Sequence, residues 1–310
     1  MRRRGSPPPD AAGTVQRVAV LLGAGVAPPA AWALVAEAAG ADEAVVREVA
    51  GAAAAAGRAG TPVGHALRGA APPGAEGESW RGLACAWSVA ERCGAPLAPC
   101  LDRFAEALRA LREARRDVDV ALSGPRASSR VVLALPVVGL GLSLALGLDV
   151  APVLVGTPWG WGCLGTAAGL VAIARSWSAR LVRGATPRDA VPGLFLEVVA
   201  VALSGGAPWD DALAGARQAW AEALGAAPAA EEDAEADRVL ALARRAGAPA
   251  GALLRAGADE RRREARAAAR AAAERLGVTL MLPLGTCVLP AFVVVAVVPL
   301  VVALSSSTAW

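Results

Sequence analysis

Three cysteines recur at a spacing that could bring metal ligands together. Cys85, Cys93 and Cys100 follow one another at about two helical turns, so a continuous helix would place them on one face. Their thiolates could in principle hold a metal ion, but a tetrahedral site needs four ligands and no fourth is evident. We therefore interpret the cysteines as small core residues in a reducing cytoplasm. We predict neither a metal nor a cofactor.

The sequence offers little other material for catalysis. It contains no GxxxxGK[ST], HExxH or GxSxG pattern, and the single histidine, His65, is interpreted as a helix-surface or packing residue. The acids closest to apolar sequence are Glu197 and Asp149. An acid inside a membrane would indicate a proton path, but Asp149 is expected where a turn leaves the bilayer, which favours solvation. We predict that the protein is not an enzyme.

The composition indicates a membrane protein. Of the 310 residues 55% are apolar, and the mean hydropathy of +0.45 is high for a soluble protein. Charge-free runs long enough to cross a bilayer predict transmembrane helices at residues 129–148, 150–174 and 276–304. Trp159 and Trp161 in the second run are typical of the lipid headgroup level. The net charge of +3 is spread along the chain, so we predict no nucleic-acid partner.

Arginines determine the predicted orientation, because arginine-rich flanks of short loops stay on the cytoplasmic side. They cluster before the first span, after the second and before the third. A chain that crosses three times then has its N-terminus and both charged segments in the cytoplasm, and its tail at 305–310 outside. Residues 1–13 are predicted to be a disordered tail. Their basic start suggests a signal peptide, but "PPPD" interrupts it.

The two charged segments, residues 14–128 and 184–275, resemble each other. Each opens on a small-residue turn between helices, "LLGAGVAPPAAW" in the first and "LSGGAPWDDAL" in the second. Further on, "ERCGAPLAPCLDRFAEALR" matches "RRAGAPAGALLRAGADERRR", and each copy continues through a long charged helix into a span. The predicted fold is all-α, with two repeated cytoplasmic antiparallel helical bundles and three transmembrane helices. The paired turn positions are Gly25 and Gly206, Gly94 and Gly247, and Pro96 and Pro249.

These repeated turns, together with the order domain, two spans, domain and span, resemble the type II secretion system F family. Its members are inner-membrane platform proteins of type II secretion, type IV pili and Tad/Flp pili. The resemblance covers nearly the whole chain after residue 13, although full-length members of the secretion and type IV pilus branches are longer. It implies a non-enzymatic platform in the cell membrane, without catalytic, cofactor or metal residues.

The same resemblance implies three kinds of protein partner. They are a cytoplasmic hexameric secretion ATPase, pilin-like membrane subunits, and other platform subunits in a homo- or hetero-oligomer. The runs "EEDAEAD" and "DERRREAR" are typical of solvated helix faces. A second role for the latter is contact with the ATPase, through Arg261, Arg262 and Arg263. A small oligomeric membrane transporter is the alternative, because internal repeats and proline-kinked spans occur in that class too.

Overall fold

A computed structural model of the chain describes residues 11–121, 157–185 and 191–294. The regular secondary structure of these residues is all helical, which confirms the predicted all-α class. The described residues form two compact units. Unit 1 contains 11–113 and 191–266, and unit 2 contains 114–121, 157–185 and 267–294.

The first described range folds into a series of helices joined by short turns. They are α1 (Ala11–Gly23), α2 (Pro28–Ala38), α3 (Ala44–Ala59), α4 (Val63–Ala70), α5 (Ala75–Cys93) and α6 (Leu97–Ala121). Between α1 and α2, Gly25 has a φ of +86°, and α2 begins with a proline, whose fixed φ suits a first helical position. Gly94 ends α5 in the same left-handed way, at a φ of +66°.

The later ranges repeat this turn chemistry. Helix α7 (Pro158–Ala185) comes first, followed by α8 (Leu194–Ser204), α9 (Trp209–Leu224), α10 (Ala230–Ala246) and α11 (Ala250–Thr279). Gly206, between α8 and α9, has a φ of +82°, and Gly247, between α10 and α11, has a φ of +63°. The aligned glycines of the two segments therefore share a backbone conformation that favours glycine. Superposition of the two segments as equivalent bundles remains a prediction.

Helices of both charged segments contribute to one hydrophobic core in unit 1. The apolar helix α8 is buried along most of its length and packs against α5 and α9. Trp32 and Trp87 lie side by side in this core, with ring centroids 5.6 Å apart. Alanine and valine supply much of the remaining buried surface, and such small side chains let helices approach closely.

Glycines occupy the points of closest approach between these helices. A Cβ atom on Gly205 would lie 1.9 Å from the carbonyl oxygen of Cys93, at the end of α5. A Cβ atom on Gly193, which precedes α8, would lie 2.6 Å from the carbonyl oxygen of Ala258 in α11. Gly193 also has a φ of +72°, so it meets both a steric and a conformational requirement.

In unit 2, α7 packs against the apolar continuation of α11. This continuation consists of α12 (Met281–Pro283), a π-helical turn (Leu284–Val288) and α13 (Leu289–Phe292). The π-helical turn lies just before Pro290, which has no N–H for the carbonyl group one turn earlier. Ala174 of α7 clusters with Cys287 and Val288, whereas Leu181 and Val182 pack against a cluster that includes Leu276 and Leu280. The two helical segments are therefore antiparallel.

An ion pair joins α6 to α11 in each unit. In unit 1, the guanidinium group of Arg266 lies 3.7 Å from the carboxylate of Glu113. In unit 2, the guanidinium group of Arg270 lies 2.9 Å from the carboxylate of Asp117. Glu113 and Arg266 are equally far along the sequence from the aligned Gly94 and Gly247, and so are Asp117 and Arg270. Both pairs thus join equivalent positions of the aligned segments, which supports the predicted repeat.

One described helix, Ala250–Phe292, is long and apolar enough to cross a membrane. It contains the start of the predicted third span. The predicted first span lies outside the described residues, as do the start of the second and the tail at 305–310. Helix α7 covers 158–174 of the predicted second span. The three-span topology remains a prediction, and of the predicted tail at 1–13, residues 11–13 are helical.

The substitution Gly193→Ala tests the close approach of α8 to α11. Gly225→Ala is a matched control, because Gly225 has nearly the same φ, +74°, and its Cβ would meet no atom within 4 Å. We expect the control to lower the free energy of unfolding by about 1–2 kcal/mol, the cost of left-handed backbone. Gly193→Ala should cost about 1–3 kcal/mol more, because it adds overpacking. Apparent melting temperatures of the detergent-solubilised chain measure both; equal shifts would contradict the close approach.

Candidate functional site

The three predicted contact arginines lie on α11 but face different surroundings. Arg263 has a 65% exposed side chain, and its guanidinium group binds Glu260 one turn earlier, at 2.6 Å. Arg261 is half-buried and lies 3.5 Å from the carboxylate of Glu231 and 3.8 Å from that of Glu264. Both side chains therefore present charge near the surface of unit 1.

Arg262 points into unit 1 instead of into solvent. Its side chain is only 10% exposed. One terminal nitrogen, Nη2, binds the Asp259 carboxylate at 2.5 Å and lies 3.5 Å from the Glu197 carboxylate, while Nη1 is buried with no hydrogen-bond partner among the described residues. The structure thus leaves Arg261 and Arg263 as surface charges with different partners and separates Arg262 from both.

Glu197, in the first turn of α8, is the buried carboxylate of this cluster. Its side chain is 5% exposed, and Arg103 of α6 lies 3.8 Å from Oε1. Burial raises the pKa of this carboxyl, and the nearby guanidinium groups of Arg262, Arg103 and Arg255 oppose that rise. Within the described residues, Oε2 is buried and has only the 3.5 Å contact with Arg262 instead of a close hydrogen bond. The ion cluster links α6, α8 and α11. Its cost is that buried polar atoms of Glu197 and Arg262 lack close hydrogen bonds.

A sequence signal for the burial of Arg262 exists along α11. Leu254 and Ala258 are fully buried, and Arg262 follows them at the same four-residue interval. Arg262 therefore occupies the next position of this buried stripe. The acid that receives it, Glu197, lies in another segment, so the pairing itself has no local signal.

The acidic run at the start of α10 is bonded within unit 1, unlike the predicted solvated face. Both carboxylate oxygens of Glu232 accept backbone N–H groups at the start of α8, from Gly193 at 2.7 Å and from Phe195 at 3.3 Å. Arg217 of α9 donates to Asp233 at 2.7 Å and to Asp237 at 2.9 Å. These hydrogen bonds raise the pKa of Arg217. The run therefore positions α8 and α9 against α10.

The cysteines and the histidine do not form a site in the described part of the chain. Cys85 and Cys100 are buried, which raises the pKa of each thiol to about 12, and Cys93 is half-buried. Neutral thiols of this kind are poor metal ligands. Among the described residues no cluster of three or more metal-binding side chains occurs. His65 is exposed on α4, as the sequence predicts for a surface residue.

One glycine pattern escaped the sequence analysis. Gly160, Gly162 and Gly165 have the GxGxxG spacing of a dinucleotide-binding turn. All three lie in helical residues of α7, whereas that fingerprint requires the turn between a strand and a helix. The spacing therefore carries no argument for a nucleotide.

The raised pKa of Glu197 gives unit 1 a specific pH dependence. A carboxyl whose pKa is higher in the folded than in the unfolded protein contributes most to stability below its unfolded pKa, and this contribution is lost as the pH rises through the folded value. We expect Glu197→Gln to remove that loss, so the apparent melting temperature of the variant relative to the wild type should increase from pH 4.5 upwards. Glu264→Gln, at an exposed acid, is the control. If the difference in melting temperature between Glu197→Gln and the wild type stayed constant with pH, this would contradict a cost of burying the charged form of Glu197.

Comparison with known proteins gives one match. No curated protein and no solved structure is significantly similar to this chain. Residues 14–145 match the family model described as type II secretion system (T2SS), protein F. The match begins within α1 and includes α2 to α6, and it confirms the resemblance that the repeated turns indicate. The chain therefore contains a domain of the type II secretion system protein F family.

Proposed function

We propose that the chain is a non-enzymatic membrane platform protein of a type II secretion or Tad/Flp-like pilus assembly machine. The observation that carries this proposal is the protein F domain at residues 14–145. In this role unit 1 is the cytoplasmic body and unit 2 lies in the cell membrane. The protein couples a hexameric secretion ATPase to the movement of pilin-like subunits, together with other platform subunits.

Surface properties of the two units support this division. Unit 1 has charged side chains distributed over α9, α10 and α11, and many of them form ion pairs with one another. Unit 2 exposes large apolar side chains, a pattern that marks a membrane or protein contact. They are Val120, Trp159, Trp161, Ile173, Trp177, Met281, Leu282, Leu289 and Val293.

Arg261 and Arg263 are the proposed ATPase contacts on α11. Arg263 is exposed, and its partner Glu260 belongs to the same helical turn, so the pair can open at little cost towards an acidic partner. Arg262 is not part of the proposed contact. Its ion pair with Glu197 holds α11 against α8. Reversing all three charges would place a third acid beside Asp259 and Glu197, and would test folding instead of contact.

The proposed topology is tested with a reporter enzyme that is active only outside the cytoplasm. Fusion after Trp310 should give an active reporter, because three crossings place that end outside. Fusion after Gly225, at the end of α9, should give an inactive one. A reporter enzyme active only in the cytoplasm, fused at the same two positions, is the control and should show the reverse pattern. Activity of the first reporter at Gly225 would contradict the three-span topology.

The proposed ATPase contact is tested with Arg261→Gln and Arg263→Gln in one chain. We expect capture of the purified ATPase to weaken on the order of tenfold, equivalent to about 1.4 kcal/mol. The loss should shrink at high salt, since salt screens exposed charges. Arg238→Gln with Arg245→Gln removes the same charge from exposed positions of α10 and is the matched control. Equal capture by both double variants would reject a contact specific to Arg261 and Arg263.

A further inference from the structure

The antiparallel contacts in unit 2 fix which residues lie at the same depth. Ala174 lies beside Cys287 and Val288, and seven residues later Leu181 packs against the cluster of Ala269, Leu276 and Leu280. The two segments are antiparallel, so a step of one residue forward along α7 corresponds to a step of about one residue backward along the apolar segment. Trp177 comes to the level of about Gly285 by this register.

Tryptophans bracket the charge-free part of α7. Trp159 and Trp161, at its start, have exposed side chains, and Trp177 near its other end is 40% exposed. At 1.5 Å per residue, about 24–27 Å of helix separates the two groups. This length is close to the hydrocarbon thickness of a bilayer, and tryptophan favours both of its interfaces. The spacing places Trp177 at one membrane surface.

Two arginines lie within one helical turn of Trp177 along α7. Arg175 and Arg180 are both exposed, and neither has an acidic partner within the described ranges. Their charges are therefore available to an external anion. Trp177 between them supplies an amphipathic ring of the kind that lies among headgroups.

From this geometry we propose that Arg175, Trp177 and Arg180, which point to different sides of α7 at nearly the same depth, together form a binding surface for the phosphate groups of anionic phospholipids, at the level of Gly285. The proposal rests on the membrane role of unit 2 given above. It places the membrane boundary about one residue before Thr286, whereas the start of the charge-free run would place it at Leu276.

The position of Arg175 decides between these two boundaries. If the hydrocarbon began at Leu276, Arg175 would lie opposite Thr286, about ten residues or 15 Å inside the bilayer. An arginine at that depth lowers the insertion equilibrium by roughly 70- to 400-fold. A boundary at Gly285 removes this cost and puts both guanidinium groups among the phosphates. Exposed Met281 and Leu282 then lie at headgroup level, where apolar side chains are tolerated.

Lipid selectivity of the full chain tests the binding surface. The purified protein is placed in phosphatidylcholine vesicles with a minority of phosphatidylglycerol, and spin-labelled forms of the two lipids report their relative association. The wild type should prefer phosphatidylglycerol, and Arg175→Gln with Arg180→Gln should lower this preference about fivefold for each arginine that contacts phosphate. Arg175→Lys with Arg180→Lys should retain most of it. Arg238→Gln with Arg245→Gln, in unit 1, should leave it unchanged.

Two results of this experiment would overturn the proposal. The first is an unchanged preference in a correctly inserted Arg175→Gln, Arg180→Gln double variant. The second is competition by inorganic phosphate at constant ionic strength, which would assign the surface to a soluble anion. A chain absent from the membrane fraction would instead contradict the proposed membrane role, so the two failures are distinguishable.

Cysteine accessibility tests the boundary without changing the arginines. Leu282→Cys and Leu289→Cys are matched, because both leucines are exposed on the surface of unit 2. In inside-out vesicles, a membrane-impermeant maleimide should label Leu282→Cys above the wild-type background and leave Leu289→Cys at that background. Labelling of neither position would place the boundary near Leu276 and overturn the proposal, and labelling of both would place it beyond Leu289 with the same consequence.

Discussion

The bonds that Glu232 makes to the start of α8 hold the second charged segment in place. Helix α10 buries only Ala236, Leu240 and Ala243, which is too little apolar surface to fix its orientation. Exposed ion pairs such as Arg217 with Asp233 contribute about 0–1 kcal/mol each. Hydrogen bonds from backbone N–H groups to a carboxylate contribute about 1.5–3 kcal/mol. Glu232 makes two such bonds and also compensates the positive end of the α8 dipole, so it dominates the attachment.

Backbone conformation at the repeated turns could be predicted from the sequence. Gly25, Gly206, Gly94 and Gly247 each follow a helix and precede a proline within three residues, and each adopts positive φ. This information is local, because a helix end with glycine and proline restricts the same few dihedral angles in any context. The all-α class and the family follow from the same local signals. Contacts between residues of different segments do not follow from such signals, because no local sequence feature specifies which residues meet.

The ion cluster at Glu197 illustrates what local signals miss. Three consecutive arginines on a helix point in directions about 100° apart, so one of them can be buried while its neighbours are exposed. Arg262 takes the buried direction because α8 provides a carboxylate there, across more than sixty residues of sequence. Charge alone predicted a uniform surface for Arg261 to Arg263 and for the acidic run. Tertiary pairing, not composition, separates the charges that remain available to a partner.

The two ion pairs between α6 and α11 bear on how two segments of similar sequence can pair. Identical copies aligned in register would place each charged residue opposite itself, and like charges at such positions repel. Here the first charged segment has acids, Glu113 and Asp117, where the second has Arg266 and Arg270. Because exposed pairs contribute little net stability, their main effect is to disfavour other registers. Opposite charge at equivalent positions therefore favours the in-register pairing of these two helices.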